Sequence, residues 1–214
     1  MINIIIISAG NFGREVYTWM NQAIACGEEW RIKGFLDDRT DILMHHAYDV
    51  PVLSSVADYE PCKNDLFICA IGDVKKKKKY CEIIYKKGGG FATLIHPTAI
   101  IGPNVRIGEG SIIGPLTQLS CEIELGKQVS VGPFSGVAHD VRIGDYVQMS
   151  SHCALNGNVA IGSEVFLGCG AIVIPGITIG DGAFIGAGSV VIRKVEPGYK
   201  VFGNPARIIG RVEE

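Results

Sequence analysis

An aliphatic residue occupies every sixth position in the segment Ile179-Gly-Asp-Gly-Ala-Phe-Ile185-Gly-Ala-Gly-Ser-Val-Val191. The same spacing extends back without interruption to Ile101, and a small or β-branched residue stands four positions after each member. The sixteen positions are Ile101, Ile107, Ile113, Leu119, Leu125, Val131, Val137, Ile143, Met149, Leu155, Ile161, Leu167, Val173, Ile179, Ile185 and Val191. This period predicts an all-β left-handed parallel β-helix from about Ile95 to Val191, in which three hexads form each of about five coils stacked roughly 4.8 Å apart.

The repeat also predicts the orientation of each side chain. The aliphatic residue should point inward, the small residue should lie near a corner, and the positions between them should face outward. Gly often follows the aliphatic residue, where we expect it to permit turn conformations that other residues resist. A β-sandwich of short strands is the alternative, but sandwiches do not hold an unbroken period of six. No hexad is interrupted, so no long loop should leave the β-helix.

Residues 1–94 show an alternation of apolar segments and amphipathic segments. Strands are predicted at 2–8, 32–36, 66–71 and 91–95, helices at 14–26 and 75–87, and a turn at 10–13. This order indicates a Rossmann-like α/β domain, followed at 95–214 by the β-helix domain with its C-terminal tail. In parallel sheets ligands bind at the carboxyl ends of the strands, where Gly10, Asp37, Asp38 and Gly72 would lie.

The dinucleotide fingerprint is incomplete, because its three glycine positions are Ser8, Gly10 and Gly13. Asp37 stands near the position of a ribose-binding acid, but the domain has no second half to complete a dinucleotide-binding sheet. A nucleotide or nucleotide-sugar ligand is therefore favoured over NAD. A purely structural domain is the other alternative.

Composition and charge exclude several classes of partner. The formal net charge of −2 gives no indication of binding to nucleic acid or an anionic membrane, and the apolar start of the chain is too short for a spanning segment. The seven cysteines include no CxxC pair and are interpreted as free thiols of a soluble cytoplasmic protein. The run Lys75–Lys79 is interpreted as a solvated helix face, with one or two lysines drawing in a diphosphate as the alternative.

His139 is the strongest catalytic candidate, because it faces outward in its hexad and is followed directly by Asp140. A neighbouring carboxylate can orient an imidazole and increase its basicity. His152 is interpreted as a comparable outward position about one coil later, without an adjacent acid. The spacing of these histidines differs from that of a trimeric carbonic-anhydrase-type site, so no metal is expected. His96, which precedes Pro97, is expected to be structural.

Several motifs resemble known enzymes. The repeat, Ala138-His-Asp140 and the ending Val201-Phe-Gly-Asn-Pro-Ala-Arg207 resemble hexapeptide acyltransferases. Ser8-Ala-Gly-Asn-Phe-Gly-Arg-Glu15, Phe35-Leu-Asp-Asp38 and Ala70-Ile-Gly72 narrow the resemblance to sugar O/N-acetyltransferases that include the bacillosamine-pathway and sialic-acid enzymes. The resemblance implies a homotrimer that holds a nucleotide-linked amino sugar in the N-terminal domain and acetyl-CoA in a groove between β-helices.

The resemblance also implies roles for individual residues. His139 would be the general base and Asp140 the acid that tunes it. The nucleotide sugar would meet Gly10, Asn11, Phe12, Asp37, Asp38 and Gly72, and acetyl-CoA would lie near Gln148, Gly157, Cys169 and Ala187. The family often has His at the position of Gln148, usually has Gly-His at Asn11-Phe12, and more often has Glu at Asp140.

The expected reaction is direct transfer of an acetyl group to the amine of a nucleotide-linked amino sugar, such as a 4-amino-4,6-dideoxy sugar. One alternative is O-acetylation of sialic acid or another sugar hydroxyl. The other is a trimer that binds sugar nucleotides without catalysis.

Overall fold

The computed structural model describes residues 1–212 and divides the chain into two compact units, Met1–Pro97 and Thr98 onward. The last two residues of the predicted C-terminal tail, Glu213 and Glu214, lie outside the described residues. Neither helix within residues 1–212 is long and apolar enough to cross a bilayer.

The first unit is a five-stranded parallel sheet of order β3-β2-β1-β4-β5, accompanied by two helices. Its elements are β1 Ile2–Ile7, α1 Asn11–Ala25, β2 Trp30–Leu36, β3 Val52–Ser54, β4 Asp65–Cys69, α2 Val74–Lys86, β5 Gly90–Phe91 and the short β6 Leu94–Ile95. Residues 4–7 of the central strand β1 are buried, which explains the unbroken isoleucine run. The predicted Rossmann-like α/β fold is confirmed.

Two predicted elements differ most from the structure in their bounds, and one strand was missed. Helix α1 begins at Asn11 rather than Arg14, so the predicted turn forms its first turn. A Cβ at Gly13 would lie 1.9 Å from the Ser8 carbonyl oxygen, so this glycine serves close packing. The predicted strand at 91–95 is split into β5 and β6, and β3 was missed because three half-buried residues carry no periodic signal.

Helix α2 corrects the interpretation of the lysine run. Its N-cap is Asp73, whose Oδ1 accepts a hydrogen bond of 2.8 Å from the Lys76 N–H. Lys77 is fully buried, on the same face of the helix as Cys81 and Ile84, so the run is not uniformly a solvated surface. Burial lowers the pKa of the Lys77 ammonium to about 8.

Apart from its last two strands, the second unit is a stack of two-residue strands, paired in parallel with strands eighteen residues away, as in Gln118, Gly136 and Ala154. Face 1 contains β7 Ile100–Ile101, β10 Gln118–Leu119, β13 Gly136–Val137, β16 Ala154–Leu155, β19 Ile172–Val173 and β22 Val190–Val191. Face 2 contains β8 Arg106–Ile107, β11 Glu124–Leu125, β14 Arg142–Ile143, β17 Ala160–Ile161 and β20 Thr178–Ile179. Face 3 contains β9 Ile112–Ile113, β12 Ser130–Val131, β15 Gln148–Met149, β18 Phe166–Leu167, β21 Phe184–Ile185, β23 Tyr199–Phe202 and β24 Arg207–Arg211, of which β24 is antiparallel.

The core of this unit follows the predicted orientation. All sixteen aliphatic positions are buried except Ile101 and Ile107, which lie in the first coil. The predicted left-handed parallel β-helix is therefore confirmed. We call the turn between faces 1 and 2 corner A, which includes 120–123, 138–141 and 156–159. Corner B joins faces 2 and 3, and corner C, which includes 132–135, 150–153, 168–171 and 186–189, joins face 3 to face 1.

The glycine after the aliphatic residue does not have the predicted role of permitting a turn conformation. Gly102 does not have a positive φ, and a Cβ there would lie 1.6 Å from the Ser120 carbonyl oxygen of the next coil. The left-handed conformation occurs two positions later in each hexad, with φ between 54° and 75°. These residues are Asn104, Gly110, Leu116, Glu122, Gln128, Phe134, Asp140, Tyr146, His152, Asn158, Glu164, Gly170, Gly176, Gly182 and Gly188. Gly directly after the aliphatic residue therefore allows neighbouring coils to approach closely. The turn itself is made by the residue two positions later, which is Gly in only five hexads.

Candidate active site

His139 and Asp140 lie at corner A of the third coil. The His139 Nδ1 is 2.8 Å from the Asp140 Oδ2, and the two side chains are 55% and 54% exposed. Asp140 adopts the left-handed conformation that the corner requires, with φ 58°, which Asp tolerates better than most residues. With an ionised Asp140, the proton of a neutral imidazole lies on Nδ1 and leaves Nε2 as an acceptor.

Gly157 lies one coil beyond His139 and beneath its ring. A Cβ at this position would be 2.6 Å from the His139 Cε1 and 2.7 Å from its Nε2. Only a residue without a side chain leaves room for the imidazole in this position. The resemblance implied a contact with acetyl-CoA at Gly157, and the structure adds that Gly157 seats the His139 ring.

Two grooves flank this corner. The groove on face 1 has a volume of about 280 Å³ and is lined by uncharged residues, namely Gln118, Ser120, Gly136, Val137, Ala138, Ala154, Leu155 and Asn156. The groove on face 2 has a volume of about 360 Å³ and is lined by Asn104, Arg106, Glu122, Glu124, Asp140, Arg142, Asn158, Val159 and Ala160. Arg106 and Glu124 form an ion pair of 2.9 Å there. Sequence reasoning missed these neighbours, although a step of eighteen residues from Asp140 would have found Glu122 and Asn158.

The other residues implied for acetyl-CoA do not lie beside His139 in one chain. Gln148 is on face 3 and only 6% exposed. Cys169 and Ala187 are exposed at corner C, where the Cys169 Sγ is 3.2 Å from the Ser151 Oγ. Of these four residues, the structure brings only Gly157 to the His139–Asp140 pair within one chain.

His152 is exposed, as predicted, but it lies in the same coil as His139 and at a different corner, so the expectation of a comparable position about one coil later was wrong. It lies at the left-handed position of corner C and stacks on Phe134, with ring centroids 4.9 Å apart. The physical reason is that the two histidines are thirteen residues apart, which is a multiple of neither the six-residue hexad nor the eighteen-residue coil. Among residues 1–212, no group of three or more His, Cys, Asp or Glu side chains could hold a metal ion.

The first unit contains a cavity of about 400 Å³ at the carboxyl ends of β1, β2 and β4. It is lined by Ile7, Ser8, Leu36, Asp37, Asp38, Arg39, Val56, Ile71, Lys76 and Tyr80. Of the residues implied for the nucleotide sugar, Asp37 and Asp38 line it directly, and Gly72 follows the lining residue Ile71. Gly10, Asn11 and Phe12 are not lining residues but lie at the start of α1, just after Ser8.

Asp37 is only 8% exposed, and its carboxylate is already occupied. It accepts hydrogen bonds from the backbone N–H groups of Ala9, at 3.0 Å, and Arg39, at 3.1 Å, and from the Arg39 guanidinium, at 2.9 and 3.1 Å. Burial alone would raise the pKa of Asp37, but these hydrogen bonds outweigh it and hold the pKa below its usual value. Asp37 therefore anchors Arg39 and the turn before α1, whereas the exposed Asp38 keeps a carboxylate oxygen for other partners.

The turn before α1 also explains the missing glycine of the fingerprint. Ser8 has a φ of 81°, which is a conformation usual for Gly, and its Oγ accepts a hydrogen bond of 3.1 Å from the Gly10 N–H. The side chain of Asn11 accepts a hydrogen bond of 2.8 Å from Arg14, and the Phe12 ring packs against Trp19. Ser8 thus replaces the glycine while preserving the backbone turn.

Comparison with known proteins places the chain in a family. The family model described as "PglD N-terminal domain" matches residues 3–84, and the family model described as "Bacterial transferase hexapeptide (six repeats)" matches residues 158–193. The solved structure of WeeI from Acinetobacter baumannii AYE is 32% identical, with 98% of this chain and 100% of that chain covered, at a TM-score of 0.86. The chain belongs to the hexapeptide-repeat sugar acetyltransferase family.

Two further members of this sugar acetyltransferase family are informative. PerB from Caulobacter crescentus, solved in complex with CoA and GDP-perosamine, is 29% identical over 97% of both chains, at a TM-score of 0.86. The GDP-perosamine N-acetyltransferase of Escherichia coli O157:H7 is 33% identical over 117 residues, which are 54% of this chain and 52% of that protein. The chain therefore matches about half the length of this curated relative.

Proposed function

We propose that this family member is an acetyl-CoA-dependent N-acetyltransferase that acts on the amino group of a nucleotide-linked amino sugar. The observation that carries the proposal is the outward His139–Asp140 pair, with Nδ1 and Oδ2 2.8 Å apart and the ring seated on Gly157. The cavity at the carboxyl ends of the first unit's strands supports a nucleotide-linked acceptor. The CoA and GDP-perosamine held by PerB support the same pair of substrates, and a 4-amino-4,6-dideoxy sugar is a suitable acceptor.

His139 acts as the general base in the proposed reaction. The acceptor amine attacks the acetyl carbonyl carbon and transfers its proton to Nε2, while Asp140 accepts the hydrogen bond from Nδ1. The carbon–sulfur bond then breaks, and His139 returns the proton to the departing CoA thiolate. A backbone N–H near Gly157 would stabilise the oxyanion, and holding both substrates in line supplies much of the rate.

A covalent acyl-enzyme is not required. Cys153 is the cysteine nearest to His139 in sequence, but it is only 1% exposed, and burial raises the pKa of its thiol to about 11. A buried and protonated thiol is a poor nucleophile. Direct transfer between two bound substrates is therefore the simpler route.

Acetyl-CoA would bind between two copies of the chain in a homotrimer. Corner C of the fourth and fifth coils carries only short side chains, at Cys169, Gly170, Ala187 and Gly188, and this strip suits an extended pantetheine chain. The strip lies at a different corner from His139, so a single chain does not bring the two together. A neighbouring chain would supply corner C to complete the site at corner A.

The test is release of the CoA thiol from acetyl-CoA in the presence of nucleotide-linked 4-amino sugars or sialic acids. His139→Ala should reduce kcat by about 10²- to 10⁴-fold, the range for loss of general-base catalysis, while acetyl-CoA binding is retained. His45→Ala, which removes an exposed histidine of the first unit, is the matched control and should leave kcat unchanged.

Near-normal turnover by the His139→Ala variant would refute the assignment of the base. Thiol release with sialic acids alone would instead support O-acetylation. No release with any acceptor, despite binding of a sugar nucleotide, would indicate a binding protein without catalysis.

A further inference from the structure

The face of α2 that carries Lys76 and Tyr80 forms part of the wall of the cavity in the first unit. These residues are four apart on a helix, so they lie on the same side, and Asp73 fixes the start of that helix by capping the Lys76 N–H. We propose that Lys76 binds a phosphate of the nucleoside diphosphate and that Tyr80 positions Asp38 to accept a hydrogen bond from the nucleoside. This inference rests on the nucleotide-linked acceptor of the proposed function.

The cavity has both apolar and charged lining, as the parts of a nucleotide require. Ile7, Leu36, Val56 and Ile71 provide apolar lining that suits the flat face of a base. Charged lining comes from Asp37, Asp38, Arg39 and Lys76. The base should therefore contact the apolar lining, and the phosphates the charged lining.

Lys76 is the cation best suited to a phosphate. The charge of Arg39 is largely balanced by Asp37, to which the guanidinium donates two hydrogen bonds. Lys76 forms no ion pair within residues 1–212. Among residues 75–79, Lys76 alone lines the cavity, whereas Lys77 is fully buried on another face. The uncompensated positive charge of the cavity lining is therefore at Lys76, where a phosphate would bind.

Tyr80 acts through Asp38 and is a positioning residue. Its hydroxyl donates a hydrogen bond of 3.0 Å to the Asp38 Oδ2, and this bond contributes most to raising the pKa of Tyr80. The bond restricts the exposed Asp38 side chain and leaves Oδ1 to accept from an N–H of a base or an O–H of a ribose. Because the carboxylate of Asp37 is already saturated, Asp38 is the carboxylate that recognises the nucleoside.

Equilibrium titration of the full chain with GDP, UDP, guanosine and uridine tests the role of Lys76. For the diphosphate that the wild-type protein binds, Lys76→Gln should weaken affinity by about 10- to 100-fold, the loss expected for a hydrogen bond to a charged group. Affinity for the corresponding nucleoside should stay within about twofold. Lys75→Gln removes the same charge from an exposed neighbour outside the cavity and should change neither affinity by more than about twofold.

Tyr80→Phe keeps the ring and removes only the hydroxyl, so it tests positioning separately from packing. It should lower the affinity for the nucleoside and the affinity for its diphosphate by the same factor, about 3- to 10-fold. It should also raise KM for the nucleotide sugar without changing KM for acetyl-CoA. Unchanged thermal stability would separate this effect from a loss of folding. A Tyr80→Phe variant with wild-type affinities would overturn the role of Tyr80.

Equal affinities of the Lys76→Gln and Lys75→Gln variants for the diphosphate would overturn the role of Lys76, as would a wild-type protein that binds neither diphosphate. Failure of the proposed function has a different signature. In that case diphosphates would bind and depend on Lys76, but no nucleotide amino sugar would release CoA.

Discussion

Two aspartates of this protein use their carboxylates in opposite ways. Asp37 is buried and accepts four hydrogen bonds, which is about the capacity of a carboxylate, so it serves as an anchor for Arg39 and the turn before α1. Asp140 is half-exposed and has His139 as its side-chain partner. A saturated carboxylate maintains structure, whereas a carboxylate with spare capacity can orient an imidazole that changes its protonation state.

Gly157→Ala tests whether the position of the His139 ring limits the reaction. The new Cβ would lie within 2.7 Å of two ring atoms, so the imidazole must shift. A displacement of this kind should reduce kcat by about 10- to 100-fold in the CoA-release assay. Gly210→Ala is the control, because a Cβ at that position meets nothing within 4 Å. Wild-type kcat in the Gly157→Ala variant would show that the reaction does not depend on the position of the His139 ring against Gly157.

Lys77→Met tests the cost of burying an ammonium group. The pKa of Lys77 falls from 10.5 to about 8 on folding because of burial, so the unfolded chain binds more protons between these values. The penalty is complete below pH 8 and disappears as the pH rises toward 10.5. The Met variant should therefore be more stable by roughly 3 kcal/mol at pH 7.5, and the difference should shrink at pH 9.5.

Urea unfolding at these two pH values measures the effect of Lys77→Met. Lys75→Met, at an exposed position of the same helix, should change the free energy of unfolding by less than about 0.5 kcal/mol at either pH. A Lys77→Met variant that is less stable than the wild type at both pH values would contradict the prediction.

At the scale of elements, the register between neighbouring coils decides which side chains meet. The two-residue strands pair with strands eighteen residues away, so His139 lies over Gly157, and Asp140 lies between Glu122 and Asn158 at the same corner. The left-handed residue of each corner turns the chain toward the next face. The repeat therefore builds columns of side chains, and the candidate base belongs to one such column.

Asp65 joins three elements of the first unit through its buried carboxylate. It bonds to Lys33 of β2 at 3.0 Å, to the Tyr59 hydroxyl at 2.7 Å, and to Asn3 of β1 at 3.1 Å. Burial by itself raises the pKa of Asp65, but the hydrogen bonds of Tyr59 and Lys33 outweigh it and lower the pKa to about 2. The stabilisation is present above the unfolded pKa of 3.8 and is lost as the pH falls toward 2.

Asp65→Asn should reduce the free energy of unfolding at pH 7 by about 2–3 kcal/mol, because Lys33 loses its charged partner in a largely buried network. Denaturant unfolding at pH 7 and pH 2.5 measures the difference, which should become smaller at the lower pH. The control is Asp58→Asn, since Asp58 is exposed and bonds only locally to Ser55. The same loss of stability in both variants would argue against a special role for Asp65.

At the scale of the whole molecule, the proposed site needs residues from two corners of the β-helix. This requirement predicts complementation between two inactive variants in mixed trimers. His139→Ala removes the base at corner A, and Ala187→Trp should block the strip of short side chains at corner C. Random mixing of equal amounts should restore about one quarter of the wild-type sites, since each intact site needs one good corner from each variant.

The variants, purified separately and then unfolded and refolded together, are compared in the CoA-release assay with the same proteins refolded alone. Recovery of activity only in the mixture supports a shared site. Its absence, in oligomers shown to contain both chains, would place the complete site within a single chain.

The amino-acid sequence by itself determined the two folds and selected the candidate catalytic pair. The step of six specifies which side chains of the β-helix point inward, because that information is local and repeats along the chain. The isoleucines of residues 4–7 indicate a buried parallel strand for the same reason. His139 and Asp140 could be paired because they are neighbours in the chain. The helix boundaries, in contrast, were uncertain by a few residues, since the signals at element ends are weak.

Only the tertiary structure decided which distant residues meet. It buried Lys77 within a run that resembles a solvated surface, saturated Asp37, and brought Tyr80 to Asp38. It also separated His152 from His139 and placed Gly157 beneath the His139 ring. The physical reason is that periodicity encodes whether a residue faces inward or outward, whereas contacts between distant residues depend on strand register and helix packing, which no short segment of sequence specifies.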